Sequence, residues 1–247
     1  MPTTVLIVAA GAGLRMGRTI PKAFLELDGR PLVYYSLAAF DAHPEVDAVV
    51  LMVPGSFMAE ARVLAAAHHK VAKVAPGGER RQDTVSLGID LVAGLTRNGA
   101  GASSEPIVLV HDAARPLVDA ELITRVIEAA RRTGAAFPGV PVSDTLRQTA
   151  PDAGRQGGLL AGRTIDRDRL VGVQTPQGFR LSLLIEARAR AGGAVVTDEA
   201  GLFESFGGKV EVVPGSPGNL KVTCAVDLVV AAALLARSPI QGPRQES

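Results

Sequence analysis

The chain has almost no cysteine and few aromatic residues. Cys224 is its single cysteine, tryptophan is absent, and aromatic residues make up 4% of 247 positions. One thiol excludes an intrachain disulfide and a thiolate metal cluster. Neither sign of charge is in real excess: 26 Lys and Arg stand against 25 Asp and Glu, a net charge of +1, and the cations are dispersed. That argues against a nucleic-acid or anionic-membrane surface, so any anion must be held by a local cluster and the ligand is expected to be small. The longest apolar run, residues 225–236, contains Asp227 and is too short to span a bilayer; it reads as a core helix. The N-terminus lacks the basic-then-apolar layout of a signal peptide, and a cytoplasmic location is expected. What is present is ordinary globular composition, 47% apolar and 21% charged, over a length that suits one large α/β domain.

Apolar, β-rich runs at residues 4–9, 48–53, 70–74, 107–110, 136–142 and 210–213 alternate with helical patterns at 32–42, 57–68, 84–95, 121–133, 181–191 and 225–237. Such alternation predicts a mostly parallel sheet with helices on both faces, whose ligands sit beyond the carboxyl ends of the strands. The three richest motifs follow the runs that end at Ala9, Val74 and Val110. Residues 97–105 read as a surface loop and 238–247 as a flexible tail, leaving 1–237 as a single domain. The alternation breaks at 141–176, where residues 142–148 and 159–163 flank the turn cluster Pro151-Asp152-Ala153-Gly154, the pattern of a protruding hairpin. A lone hairpin is marginal in water, so this arm, residues 141–169, packs either on a second subunit or back over its own domain.

The first motif, Val8-Ala9-Ala10-Gly11-Ala12-Gly13-Leu14-Arg15-Met16-Gly17 with Pro21-Lys22 beyond, ends a buried run with a small-residue loop carrying two cations. Without Cβ atoms at Gly11, Gly13 and Gly17, backbone amides can approach a polyphosphate, and Arg15 and Lys22 add full charges. Taken alone it is also readable as a glycine-rich surface turn. Met16 breaks a dinucleotide fingerprint, and Gly17-Arg18-Thr19 only imitates a P-loop. In the second motif, residues 76–85, Asp83 suits a helix N-cap. Gly77, Gly78 and the Thr84 hydroxyl are placed to read the edge of a base. The third, His111-Asp112-Ala113-Ala114-Arg115-Pro116, puts charge at the end of a buried strand, where it must be paired or metal-bound. Asp112 is the candidate to hold Mg²⁺, and Ala113 leaves room for a ribose; His111 reads as structural, and an internal Asp112–Arg115 pair is the plain alternative. Lys221, between a Gly/Pro-rich loop and the last helix in a β-like segment, is placed to converge with Arg15 and Lys22 on an anionic transition state.

In this order, the segments AAGAGLRM, PKAFL, GGERRQDTV, HDAARP, SDT, TIDR, QTPQ, TDE and NLKVT closely resemble the 2-C-methyl-D-erythritol 4-phosphate cytidylyltransferases of the non-mevalonate isoprenoid pathway, over residues 8–223. The resemblance implies a Rossmann-like nucleotidyltransferase fold, a β-arm exchanged across a homodimer, Mg²⁺ dependence, and transfer of a cytidylyl group from CTP with release of pyrophosphate. By the same resemblance Arg15, Lys22 and Lys221 match catalytic cations, Asp112 and Arg115 the HDAARP motif, and Ala9, Ala10, Gly78 and Thr84 the cytidine site. Thr145, Arg167, Thr175 and Thr197 match substrate-side positions, with Arg167 supplied by the neighbouring subunit if the arm is exchanged. Thr84 stands where many relatives have serine, Ala23-Phe24 replaces a common Gln-Tyr pair, and Cys224-Ala225-Val226 replaces a polar, proline-containing link. The alternatives are a cytidylyltransferase for another polyol phosphate, such as ribitol 5-phosphate, and a non-catalytic nucleotide-binding module, which would not need the cations.

Overall fold

In the computed structural model, which describes residues 1–11, 20–99, 105–152, 154–191 and 197–237, strand β1 (Thr3–Val8) is buried along its whole length. Gly13, Arg15 and the expected tail at 238–247 lie outside the described residues. A 3-10 turn at Lys22–Phe24 leads into a ribbon of β2 (Glu26–Leu27) and β3 (Arg30–Pro31). Its turn residues Asp28 and Gly29 both take positive φ, 49° and 73°, as a two-residue type I′ hairpin requires. Then come α1 (Leu32–Ala42), β4 (Ala48–Val53), α2 (Met58–Ala65), β5 (Val71–Pro76), α3 (Arg81–Gly99), β6 (Ile107–Asp112), α4 (Ala120–Thr133) and β7 (Ala135–Pro141). The second half adds β8 (Leu146–Pro151), β9 (Leu159–Ile165), β10 (Val171–Val173), β11 (Gln177–Arg180), α5 (Leu181–Ala191), α6 (Glu199–Glu204), β12 (Glu211–Pro214) and α7 (Ala225–Arg237).

Side-chain alternation sorts the layers. Val5 and Ile7 of β1 share a core with Leu37 and Phe40 of α1, Ala61 of α2 and Val126 of α4. Leu6 and Val8 point the other way, onto Val85 and Ile89 of α3, Leu184 of α5 and Ala200 of α6. Burial on both faces is why the central strands are continuous apolar runs. β5, β4, β1 and β6 are parallel neighbours, as expected. Beyond them the sheet turns mixed: β11 runs antiparallel between β6 and β7, β10 continues along the same side of β7, and β12 lies parallel on its other side. Helix α4 shows how local chemistry sets the ends, with the Asp119 carboxylate accepting from the Leu122 N–H at 2.7 Å and Gly134 closing the helix at φ 94°.

Several boundaries differ from the expectation. Helix α3 opens at Arg81, so Asp83 is inside its first turn, where it accepts from the Arg80 N–H instead of capping the helix itself. The same helix runs to Gly99, taking in residues expected as loop. Strands β10 and β11 fall outside the sequence pattern; they are 3 and 4 residues long, too short for a period of two to stand out. The arm is present: among the described residues β8 and β9 pair only with each other and are exposed over nearly all of their length. It does not fold back over its own domain, and Leu159 and Leu160 are 67% and 56% exposed.

Gly88 shows how closely α3 lies on the sheet, since a Cβ added there would stand 2.3 Å from Leu6 Cδ1, itself fully buried. Gly88→Ala is expected to lower the unfolding free energy by about 1–3 kcal/mol through overpacking. A thermal melt equal to that of the parent protein would show that the helix stands further off.

Candidate active site

Parallel strands in register bring their carboxyl ends to one edge. Val8 pairs with Asp112, so the residues that follow each strand become neighbours. The Ala9 N–H donates to the Met52 carbonyl at 2.8 Å and the Ala113 N–H to the Val8 carbonyl at 3.1 Å. Ala9, Ala10 and Ala113 are buried, while Gly11 is exposed with open space where a Cβ would lie. The loop after β5 closes against this edge: a Cβ on Gly77 would come within 2.3 Å of Ala10 Cβ, and one on Gly78 within 2.6 Å of Asp83 Cβ. Both glycines are therefore required by close approach.

The Thr84 hydroxyl is engaged internally. It accepts from the Gly78 N–H at 3.1 Å and lies 3.2 Å from the Arg80 carbonyl, and Thr84 is 1% exposed. The Gly77 N–H donates to the Val53 carbonyl at 2.8 Å. Thr84 thus fastens the glycine loop through local backbone partners, as a threonine in a first helical turn commonly does.

Asp112 is the electrostatic centre. Its Oδ1 accepts from Arg81 Nε at 3.0 Å and its Oδ2 from Lys221 Nζ at 2.6 Å. Burial alone would raise this carboxyl, but the two cations outweigh it and hold the group well below the usual carboxylate range. Arg81 in turn donates both terminal nitrogens to the Glu199 carboxylate, at 2.9 Å each. Glu199 is the first residue of α6, whose cap Asp198 accepts from Gln177 Nε2 at 2.9 Å. The alternative of an internal Asp112–Arg115 pair is not what forms: Asp112 takes these partners, and Arg115 bonds backbone carbonyls.

Behind Asp112 runs a chain of directed hydrogen bonds. The Arg115 carbonyl can only accept, so the contact at 3.2 Å makes His111 Nε2 the protonated nitrogen. His111 Nδ1 is then the acceptor for the Thr175 hydroxyl at 3.2 Å, whose oxygen accepts the Asp112 N–H at 3.1 Å. His111 is fully buried, and burial pushes its imidazole down to about 3. It is structural, as expected. Arg115 and Thr175, expected on the substrate side, are 9% and 5% exposed and work internally here. The Arg115 guanidinium donates to the Asn219 and Val173 carbonyls at 2.8 and 3.1 Å, because a buried guanidinium must find acceptors and the surrounding backbone supplies them.

The 216–222 segment is pinned from several sides. Asn219 is fully buried and donates to the Thr175 carbonyl at 2.9 Å, and the Val222 N–H donates to the Ala114 carbonyl at 2.8 Å. Lys221 lies in an irregular segment, not a ladder strand. After it, the Asp227 carboxylate accepts from the Thr223 and Cys224 N–H groups at 2.6 and 2.9 Å, which fixes the start of α7 despite the unusual Cys224-Ala225-Val226 link. Val222 packs in one satellite core with Leu25, Leu27 and Tyr35. The peptides that carry Lys22 and Lys221 are therefore anchored together.

Residues 3–237 match the family described as IspD, 2-C-methyl-D-erythritol 4-phosphate cytidylyltransferase. The chain belongs to this family. It is 40% identical over 241 residues to the 2-C-methyl-D-erythritol 4-phosphate cytidylyltransferase of Acidobacterium capsulatum, covering 94% of this chain and 96% of that one. Its identity to the Streptomyces avermitilis protein of the same name is 41%, over 95% and 92% of the two chains. The crystal structure of the Thermus thermophilus enzyme superposes with a TM-score of 0.72 at 38% identity, covering 96% of this chain and all of that one.

Among the family's matched positions, the described contacts unite Asp112 with Lys221, Thr175 with Asp112, and Arg115 with the Asn219 loop. Thr145 and Arg167 lie instead at the base of the arm, exposed, with the Arg167 guanidinium donating to the Ser143 carbonyl. Thr197 is exposed just ahead of α6. Arg81 and Glu199 join the site without any signal in the sequence that sets them apart. A cleft of about 380 Å³ between α3 and α5 meets this network only at Glu199.

The depressed His111 gives a pH signature. In the unfolded chain a histidine binds a proton below about 6.5 and in the folded one only near 3, so the stabilisation is complete above 6.5 and is lost on acidification. His43 and His68 are also lowered by burial and act in the same direction. The unfolding free energy is expected to drop by about 2 kcal/mol between pH 6.5 and 5 from His111 alone, with a flatter profile in His111→Gln. An NMR titration that finds the His111 imidazole protonating near its ordinary value in the folded protein would contradict this.

Proposed function

We infer that this protein transfers the cytidylyl group of CTP to 2-C-methyl-D-erythritol 4-phosphate, giving 4-diphosphocytidyl-2-C-methyl-D-erythritol and pyrophosphate. The observation that carries the inference is a buried carboxylate, Asp112, held between Arg81 and Lys221 at the carboxyl end of β6, in a chain of the IspD family. In the reaction an oxygen of the phosphate monoester bonds to the α-phosphorus, and the bond from that phosphorus to the bridging oxygen of pyrophosphate breaks. The monoester is already anionic near neutral pH, so the protein needs to position and neutralise charge more than to abstract a proton. That the buried, internally bonded His111 offers no base agrees with this. Arg15, Lys22 and Lys221 are the cations for the phosphates, and the small Ala9, Ala10, Gly77, Gly78 and Ala113 surface admits the nucleoside.

A divalent cation fits one position. Among the described residues no group of three or more His, Cys, Asp or Glu side chains could form a metal cage, but Mg²⁺ often takes only one or two carboxylates with water and substrate phosphates completing its shell. Asp112 would hold it. Bound there, Mg²⁺ would neutralise charge on the phosphates.

Dimerisation through the arm is part of the same proposal. The hairpin is paired only to itself, carries exposed Leu159 and Leu160, and has Thr145 and Arg167 at its base. A second copy that receives it would gain Arg167 for the incoming phosphate. No helix among the described residues is long and apolar enough to cross a membrane. A cytoplasmic location is part of the proposal.

Pyrophosphate release from CTP across a panel of polyol phosphates tests the reaction: methylerythritol phosphate should be preferred, and turnover with ribitol 5-phosphate alone would point to the alternative acceptor. Lys22→Ala and Lys221→Ala should each lower turnover at least about a hundredfold, the scale of a lost charge-stabilising contact of about 2.7 to 4 kcal/mol. Wild-type turnover in folded variants would remove the lysines from the mechanism. Mixing Arg167→Ala with Lys22→Ala subunits should restore activity through heterodimers with one intact site. If subunits exchange and no activity returns, Arg167 serves its own chain.

A further inference from the structure

The two cations on Asp112 differ in freedom. Arg81 is committed on three atoms: Nε to Asp112, and both terminal nitrogens to Glu199, whose side chain is 5% exposed. Glu199 is itself fixed as the opening residue of α6, and Ala200 behind it donates its N–H to Gln177 Oε1 at 3.1 Å. Withdrawing Arg81 would strand a buried carboxylate on each side of it, a strongly unfavourable arrangement. The Lys221 ammonium, by contrast, donates to Asp112 Oδ2 alone among the described residues, and its side chain is 41% exposed. It is a point charge on a flexible four-carbon stem.

We propose that Arg81 and Glu199 are positioning residues that lock the Asp112 carboxylate, and that Lys221 is its exchangeable partner, yielding Oδ2 to a divalent cation and moving onto the nucleotide phosphates. The proposal rests on the reading of Asp112 as the metal-holding carboxylate. Its logic is continuity of charge. Asp112 Oδ2 is neutralised by the lysine before the cation arrives and by the cation afterwards, so the buried carboxylate keeps two positive partners throughout. Arg81 cannot play that part, because its fork is spent.

The test uses the full nucleotide-free chain and Mn²⁺ as the probe, with binding read from water-proton relaxation. Lys221→Met should bind Mn²⁺ more tightly than the parent, by up to about fivefold, the scale of a lost partly exposed ion pair. Lys221→Arg, which keeps a competitor on Oδ2, should stay near the parent value. Glu199→Gln should weaken Mn²⁺ binding several-fold, because the released Arg81 nitrogens can then close on Asp112. Equal affinity in the parent and Lys221→Met, or no Mn²⁺ bound by Lys221→Met, overturns the exchange. A Glu199→Gln protein with a lowered melting temperature and unchanged Mn²⁺ affinity overturns the positioning role. If that variant does not fold, Glu199→Asp, which keeps the charge but shortens the reach, is read by the same criterion. Failure of the metal reading itself would show differently: Mn²⁺ binding in the presence of CTP would then be insensitive to Asp112→Asn.

Discussion

A carboxylate buried at the end of a β-strand is the constraint around which the rest is arranged. Asp112 is 8% exposed, and an unpaired charge at that depth is prohibitively costly. Its two cationic partners come from distant parts of the chain, Arg81 from the first turn of α3 and Lys221 from the segment before α7, and Arg81 brings Glu199 of α6 with it. Three otherwise independent elements are thereby registered on one side chain. Losing Arg81 would leave two buried carboxylates short of a partner, so the Arg81 contacts tie the site to the packing of this edge of the sheet.

How much of this is legible in the sequence follows from the range of each signal. Strand and helix alternation in the first half depends on local periodicity, and β1, β4, β5, β6 and their helices fall where the pattern puts them. The arm is legible because an absence of periodicity around a proline and glycine turn is itself a pattern. Strands β10 and β11 are not, since each is held by partners about 30 or more residues away and carries too few residues for a period. The site divides in the same way. Asp112 and Lys221 stand out as charges in unfavourable local settings. Arg81 and Glu199 do not, because an acid at a helix start is accounted for by the dipole and Arg81 is one of three successive charged residues, Glu79-Arg80-Arg81; only the fold shows that they face each other across 118 positions.

Thr84, Thr175 and Arg115 teach a related lesson about polar residues in a motif. The sequence points each of them at a ligand, and in the structure each is also tied into the internal bonds that shape this edge of the sheet. Thr84 holds the Gly77–Gly78 turn, Thr175 links Asp112 to His111, and Arg115 ties the Asn219 loop to β10. Motif matching identifies such positions equally well in both cases, since replacing a buried, satisfied polar group is costly whether or not it touches a substrate.

These internal assignments also bear on the chemistry. A reaction whose nucleophile arrives anionic gains nothing from a titrating base beside the phosphates, and a histidine free to protonate there would make the local charge vary around neutral pH. Here the histidine beside Asp112 is fully buried, held in a single tautomer by the Arg115 carbonyl, and kept neutral over the physiological range. Close to the strand ends stand a carboxylate held far below its usual range and the Arg81 guanidinium, which its two carboxylate partners keep protonated. Fixed charges of this kind on Asp112 and Arg81 suit catalysis by charge stabilisation and positioning rather than by proton transfer.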